Sequence, residues 1–192
     1  MSQGEIDICN QSLGWLGANL ITSFDDMSKE SNLCQANYSY LRDAVLEDSI
    51  WSFATKRAEL PLLDEDVLGY GSSFQLPEDC IRVDKVYRDS KFLDNTTVDY
   101  IIEDRKVLSN LDACFIKYCY RLVDTVRFSP NFTNALAYRI AAELAIPLTK
   151  SRTLQQQMLQ IYQMRLEEAT ATDSMQSPNR QVNYPSMNAS RY

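Results

Sequence analysis

The stretch "EDSIWSFATKRAELPLL", residues 47–63, decides how this 192-residue chain is organised. Before it, apolar residues recur every three or four positions, which is the spacing of one face of an α-helix. After it, apolar and polar residues alternate in short runs, which is the spacing of a β-strand. Trp51 and Phe53 stand where the period changes, between an acidic pair and a basic pair. The stretch therefore predicts a joint between a helix and a strand, with a ligand pocket as the alternative.

Two helices are predicted before this joint. Ser2 and Glu5 have the S-x-x-E spacing of a capping box, and Gly17 is a suitable stop for the helix that follows. The second helix is predicted over about 28–50. Its apolar face consists of Cys34, Tyr38, Leu41 and Val45, spaced by four, three and four residues.

Short strands are predicted after the joint. Residues 80–87 and 114–123 alternate between apolar and polar side chains, and residues 98–103 and 106–109 flank the turn "EDRK". The acidic and Gly-containing stretch 63–73 is interpreted as a loop. These patterns predict one small antiparallel sheet within residues 55–125.

Helical spacing returns near Ser129, an expected N-cap that is followed by Pro130 at the first helical position. Pro147 is expected to end or kink this helix, because an interior proline costs about 3 kcal/mol. A long last helix is predicted up to about residue 173. The polar residues 174–192 are then expected to be disordered when alone, either as a frayed end or as an arm that orders on a partner.

The predicted fold is therefore α+β. Residues 1–54 and 126–173 form a helical bundle, residues 55–125 form an inserted β-rich domain with antiparallel strands, and residues 174–192 form a flexible C-terminal arm. No segment has the roughly 20 consecutive apolar residues of a membrane span, and we expect none.

Composition restricts the chemistry. The sequence contains no His, so the usual general base and the commonest zinc ligand are missing. Its five cysteines are scattered without a C-x-x-C pair, which favours reduced and mostly buried thiols. The net charge is −7 and the basic residues are dispersed, so we expect no phosphate-gripping surface for nucleic acid. We expect no catalytic residues, no cofactor and no metal. The acidic clusters, including Asp64 to Asp66, are interpreted as caps, turns and loops.

Three parts of the chain carry, in this order, a resemblance to a known family. They are "SLGWLGANLITSFDDMSKESNLCQANYSYLRDAVLEDSIWSFATKRAEL", "FQLPEDCIRV" and "FSPNFTNALAYRIAAELAIPLTKS". Each part is weak alone, but the ordered set, over about residues 12–150, resembles the head-to-tail adaptor family of short-tailed bacteriophages, also called tail tubular protein A. The arm differs from that pattern.

The resemblance implies a structural virion protein that is not an enzyme. Copies of such a protein form a dodecameric ring between the portal protein and the tail nozzle protein, which is similar to tail tubular protein B. The ring lines a channel through which DNA leaves without specific binding. The resemblance also implies a location at the tail–head junction of the virion, after synthesis in the host cytoplasm.

The resemblance also assigns expected roles to residues. Structural packing at the seam between bundle and sheet is expected for Trp51, Phe53, Leu76 and Pro77. Charges that pair within the chain or across a ring interface are Glu47, Asp48, Lys56 and Arg57. Anchors that dock the arm on the portal are Arg180, Val182, Tyr184, Met187 and Tyr192. Two alternatives remain: a carboxylate-based cell-envelope glycan hydrolase carried by the virion, and an interaction module unrelated to phage.

Overall fold

A computed structural model describes residues 3–65, 67–91 and 98–176 and confirms the α+β prediction. The helices that it describes are α1 (Gln3–Trp15), α2 (Lys29–Asp48), α3 (Pro130–Thr149) and α4 (Arg152–Gln176). The strands are β1 (Thr55–Leu60), β2 (Leu62–Leu63), β3 (Ser72–Gln75), β4 (Cys80–Tyr87), β5 (Tyr100–Glu103), β6 (Lys106–Ser109) and β7 (Cys114–Tyr120). Two short 3₁₀ turns, Ser52–Ala54 and Thr125–Arg127, precede β1 and α3.

Helix α3 contacts each of the other three helices. It runs parallel to α1, since Gly4 in the first turn of α1 approaches Thr125 just before α3, and Ser12 Oγ further along α1 donates a hydrogen bond to the carbonyl of Ala137 at 2.8 Å. It runs antiparallel to α2, since Lys29 at the start of α2 donates to the carbonyl of Pro147 near the end of α3. Two residues separate α4 from α3, and α4 packs back along α3. The first turns of α1 and α3 and the last turns of α2 and α4 thus share one end of the bundle, here called the sheet end.

The helix boundaries follow from capping side chains. Ser28 accepts a hydrogen bond from the N–H of Ser31, and Ser129 accepts one from the N–H of Phe132, as an N-cap residue does. Pro147 does not end α3, which continues to Thr149, and the alternative of a kink stays a prediction. A proline at this position removes one i→i−4 hydrogen bond, and only two helical residues follow it.

The β-rich region contains two antiparallel sheets where one was predicted. The three-stranded sheet has the order β1-β7-β4, and the four-stranded sheet has the order β2-β3-β6-β5. The stretch 63–73 is only partly a loop, since Leu63 belongs to β2 and the pair Ser72 and Ser73 belongs to β3. The turn between β5 and β6 is as predicted, with Asp104 and Arg105 at positive φ angles of 46° and 59°. Two successive left-handed residues suit the twist of a tight hairpin.

Buried side chains of the helices and of both sheets belong to one hydrophobic cluster. All five cysteines are buried and free, as predicted. Burial raises the pKa of Cys80 to about 11 and of Cys114 and Cys119 to about 12. These thiols are therefore part of the packing and are poor nucleophiles.

α4 extends to Gln176, three residues beyond the predicted end at 173. The rest of the predicted arm, residues 177–192, lies outside the described residues together with its five named anchors. Ser2 of the predicted capping box and Asp66 of the acidic loop also lie outside them. None of the described helices is both long and apolar enough to cross a membrane.

Candidate functional site

The joint, defined as residues 49–54, leads from the end of α2 to the start of β1. Trp51 is 1% exposed, and its ring meets the ring of Phe132 edge-on at 5.0 Å between centroids. Phe53 lies 5.3 Å from Phe132 in the same manner, and Phe128 lies 4.7 Å from it. The four rings fasten the joint to the first turn of α3 through offset and edge-to-face contacts. The structure thus brings together the predicted pair and two further phenylalanines.

The end of α2 is held by side chains that come from outside the helix. The last four carbonyls of a helix have no partner within it, and here three of them accept hydrogen bonds from the joint and the three-stranded sheet. The pairs are Trp51 Nε1 to Val45 O at 2.9 Å, Cys119 Sγ to Leu46 O at 3.3 Å, and Arg82 Nη1 to Glu47 O. The guanidinium also places a positive charge at the negative end of the helix dipole. The sheet therefore caps the helix.

Two carboxylates extend this connection. Asp43 on α2 accepts a hydrogen bond from Arg121 Nε at 2.8 Å, which ties the helix to the chain just after β7. Asp84 on β4 has a side chain that is only 3% exposed, with Arg82 Nη2 at 3.1 Å and Lys117 Nζ at 3.7 Å. A buried carboxylate is tolerated only when it is paired. Arg82 therefore serves both the helix end and the buried acid.

The four charges predicted near the joint, Glu47, Asp48, Lys56 and Arg57, are all exposed. Lys56 pairs with Asp79 at 2.7 Å, and the Asp48 carboxylate accepts a hydrogen bond from the Tyr162 hydroxyl. The partners of Lys56 and Asp48 thus lie within the chain and outside the predicted set. Contacts of these residues across a ring interface stay a prediction.

Leu76 and Pro77 lie between β3 and β4, where the chain passes from one sheet to the other. The N–H of Leu76 donates to the carbonyl of Arg105 at 3.0 Å, and Arg105 Nη2 donates to the carbonyl of Pro77 at 2.6 Å. These bonds fasten the pair to the β5–β6 turn. Their predicted place at the seam with the helices stays a prediction. Arg105, which the sequence did not single out, is the residue that organises this loop.

A cleft of about 440 Å³ opens at the sheet end of the bundle, between α1 and the turn Thr125–Arg127. Its floor includes the buried side chain of Ile8, and its edge includes Val126, which is 89% exposed. Gly4 allows the close approach of the two elements, because a Cβ there would overlap the Thr125 hydroxyl. The residues that line the cleft are Gly4, Asp7, Ile8, Gln11, Thr125, Val126 and Thr133. No local pattern in the sequence predicts this cleft.

The outer strands of the four-stranded sheet also present apolar side chains. Leu62 on β2 is 60% exposed, and Ile101 and Ile102 on β5 are 36% and 45% exposed. Among the described residues, no strand pairs with the outer edge of either β2 or β5. An unpaired edge of this kind can add a strand from another chain.

The acidic clusters serve the fold where the structure describes them. Hydrogen bonds from the backbone N–H groups of Thr22 and Ser23 lower the pKa of Asp26. The Ser73 hydroxyl, followed by Lys106, lowers the pKa of Glu65. A general acid near neutral pH needs a raised pKa instead. Within the part of the chain that the structure describes, no three Cys, Asp or Glu side chains are grouped so that they could hold a metal ion.

No protein-family model matches the chain, and a search of curated proteins gives no match either. The geometry therefore has to be interpreted from its own contacts and from the resemblance of residues 12–150. Three features stand out for function: the capped joint, the two apolar sheet edges, and the cleft at the sheet end of the bundle.

Proposed function

We propose that this chain is a structural virion protein, the head-to-tail adaptor of a short-tailed bacteriophage. In this proposal its copies form a dodecameric ring between the portal protein and the tail nozzle protein, and the ring lines the channel for DNA. The observation that carries the proposal is the ordered resemblance over residues 12–150. The architecture supports it, because a helical bundle with an inserted β-rich region is what the resemblance implies.

The capped joint suits such a role. A ring that transmits the load between a head and a tail needs subunits whose two parts keep a fixed orientation. Here the aromatic cluster holds the joint on α3, side chains of the three-stranded sheet cap two carbonyls of α2, and the Asp43–Arg121 ion pair ties α2 to the chain just after β7. Bending at the joint would break several of these contacts together.

The two sheet edges suit a ring contact. A closed ring of identical subunits uses two different surfaces that fit each other head to tail. The β2 edge with Leu62 and the β5 edge with Ile102 lie on opposite sides of the same sheet and are different surfaces. Acidic residues flank both edges, for example Asp64 and Asp99. Their repulsion opposes contact at low salt and is screened over about 8 Å at physiological ionic strength.

The first experiment is the mass of the purified full-length protein, alone and after mixing with the portal ring of the same phage. The proposal expects a ring on the portal and no turnover of cell-envelope glycan. Failure to engage the portal at physiological salt, by a protein that is folded, would contradict the proposal.

A matched pair of variants tests the sheet edge. I102K places a charge on the β5 edge, whereas L68K places the same charge on a loop residue that is 100% exposed and outside every strand. We expect I102K to prevent ring formation while its thermal unfolding stays close to that of L68K. Equal ring formation by both variants would exclude β5 from the contact.

The predicted arm belongs to the same proposal. Ordering residues 177–192 on the portal would use roughly 2–5 kcal/mol of the gross interaction energy. We expect the full-length triple variant V182S/Y184S/M187S to bind the portal more weakly than the parent protein. Unchanged affinity would mean that these side chains do not contact the portal.

The described carboxyl groups do not favour the glycan-hydrolase alternative. The described carboxyl groups with a shifted pKa are Asp26, Glu30 and Glu65, and all three are lowered. No specific observation therefore favours that alternative.

A further inference from the structure

We infer that residues 177–192 dock in the cleft at the sheet end of their own subunit while the protein is free. The cleft lies between α1 and the turn Thr125–Arg127. Docking does not depend on the proposed function and concerns the free subunit only.

The course of α4 brings this segment to the right end of the bundle. Tyr162 on α4 bonds to Asp48, and the hydroxyls of Thr170 and Ser49 lie 2.8 Å apart. α4 therefore passes the end of α2 and reaches Gln176 at the sheet end, where the cleft also opens.

The docking side chains are long enough in reach for the cleft. Val182 and Met187 follow Gln176 by 6 and 11 residues, so they can reach roughly 20 Å and 36 Å from it at about 3.3 Å per residue. Since Gln176 and the cleft lie at the same end of the bundle, the segment has to cross only the bundle's width, about two helix diameters of roughly 10 Å each.

The chemistry of the segment matches the cleft. Val182, Tyr184 and Met187 supply apolar side chains for a site with Ile8 in its floor and exposed Val126 at its edge. Covering Val126 would remove an exposed apolar side chain from water, which is favourable.

The charges are complementary as well. Residues 177–192 contain Arg180 and Arg191 and no Asp or Glu, although the chain as a whole carries a net charge of −7. Asp7 lines the cleft, and Asp124 immediately precedes the turn that forms its other wall, so two acidic residues stand there against one basic residue of that turn, Arg127. Opposite charges of this kind favour the encounter and fix its orientation more than they add to its affinity.

The size of the cleft limits the mode of docking. A volume of about 440 Å³ falls within the roughly 300–1,000 Å³ range of clefts that hold small ligands. It has room for one or two side chains and is too small for a folded element. The segment would therefore lie along the surface and insert single side chains.

If the proposed function holds, the side chains proposed to contact the portal are the same ones that occupy the cleft in the free subunit. The arm would then exchange its own cleft for the portal during assembly, and free subunits would not display it.

A spin-label experiment on the full-length free protein tests the docking. All five native cysteines are buried, so a single introduced thiol can be labelled selectively. V123C places a nitroxide next to the cleft without replacing a lining residue, and M27C places it on a fully exposed residue between α1 and α2, away from the sheet end. We expect the NMR amide signals around 182–187 to lose at least half of their intensity with V123C and to be unaffected with M27C. Equal intensities of these amide signals with the V123C and M27C labels would overturn the inference.

Two further measurements distinguish docking within one subunit from docking on a second copy, and apolar from polar docking. The first mixes two proteins: one carries the spin label and no ¹⁵N, and the other carries ¹⁵N and no spin label. The ¹⁵N signals should stay unbroadened. Broadening would show that the segment docks on a second copy and would overturn docking within one subunit. In the V123C background, V182S/Y184S should abolish the broadening, whereas the polar control N179S/N183S should keep it. Persistence in V182S/Y184S would overturn the apolar docking mode.

Discussion

Replacing Trp51 tests the joint most directly. Its side chain is 1% exposed, and an aromatic side chain of this kind buries roughly 150–250 Å². At about 25 cal/mol per Å² this corresponds to an upper bound of roughly 4–6 kcal/mol. Truncation of buried aromatic residues to alanine typically costs about 3–5 kcal/mol, and we expect W51A to fall in that range.

The variant W51F separates the hydrogen bond from the packing. Phenylalanine keeps an aromatic ring against Phe132 but has no donor for the carbonyl of Val45, which Trp51 Nε1 reaches at 2.9 Å. A buried acceptor that loses its donor costs about 1–3 kcal/mol. We therefore expect W51F to lower the free energy of unfolding by about 1–3 kcal/mol, part of it from the smaller ring.

Urea unfolding followed by far-UV circular dichroism measures these changes, provided that the slope m is unchanged. The matched control is W15F. Trp15 is partly buried and stacks on Tyr138 with 3.9 Å between ring centroids, a contact that phenylalanine can keep. Its replacement should cost less than about 1 kcal/mol. If W51F cost no more than W15F, the capping role of Trp51 would be refuted, even if W51A were too unstable to measure.

Three further outcomes follow from the structure. G4A should lower the free energy of unfolding by about 1–3 kcal/mol through overlap with Thr125. G14A, whose Cβ would meet nothing within 4 Å, should raise it by about 0.5–1 kcal/mol. Urea unfolding measures both changes, and similar effects at the two glycines would contradict the close approach of Gly4 to Thr125. The pKa of Glu65 is lowered in the folded state, so its stabilising contribution is present above its ordinary pKa of 4.5 and is lost as the pH falls through the lowered value. E65Q should therefore melt below the parent protein at neutral pH, and the difference should vanish in acid; a difference that stays constant with pH would argue against this ion pair. The five buried thiols should resist a thiol-reactive dye in the native protein at neutral pH and all react after denaturation; rapid native labelling would contradict their burial.

The helices were predictable because each is long and carries its own signals. α2 was predicted over 28–50 and spans Lys29–Asp48, with its apolar face buried as expected. The N-cap at Ser129 was predicted from local chemistry and has the expected bond to Phe132. Such features depend on residues within four positions of each other, which a sequence displays directly.

The division into two sheets was not predictable in the same way. Strand pairing joins distant segments, as β3 with β6, and local alternation does not choose the partner. β2 has only two residues, and β1, with the sequence "TKRAEL", has no clean alternation. The prediction of a single sheet failed for these reasons.

The joint lies between these cases. Trp51 and Phe53 were predicted to pack because they stand where the period changes. Cys119 and Arg82 were not assigned to the end of α2, since they lie 73 and 35 residues from the carbonyls that they cap. The spacing of four residues between Phe128 and Phe132 was the one local signal that could have completed the aromatic cluster.

These distant caps bear on how the molecule unfolds. If the sheet separated from the bundle, two carbonyls at the end of α2 would lose their donors, Cys119 and Arg82. Asp43 would also lose its ion pair with Arg121. Arg82 would then keep only its bond to Asp84, which lies within the sheet. Loss of one part therefore destabilises the other, and a folded bundle without its sheet is not a low-energy state. Bundle and sheet should unfold in one cooperative transition.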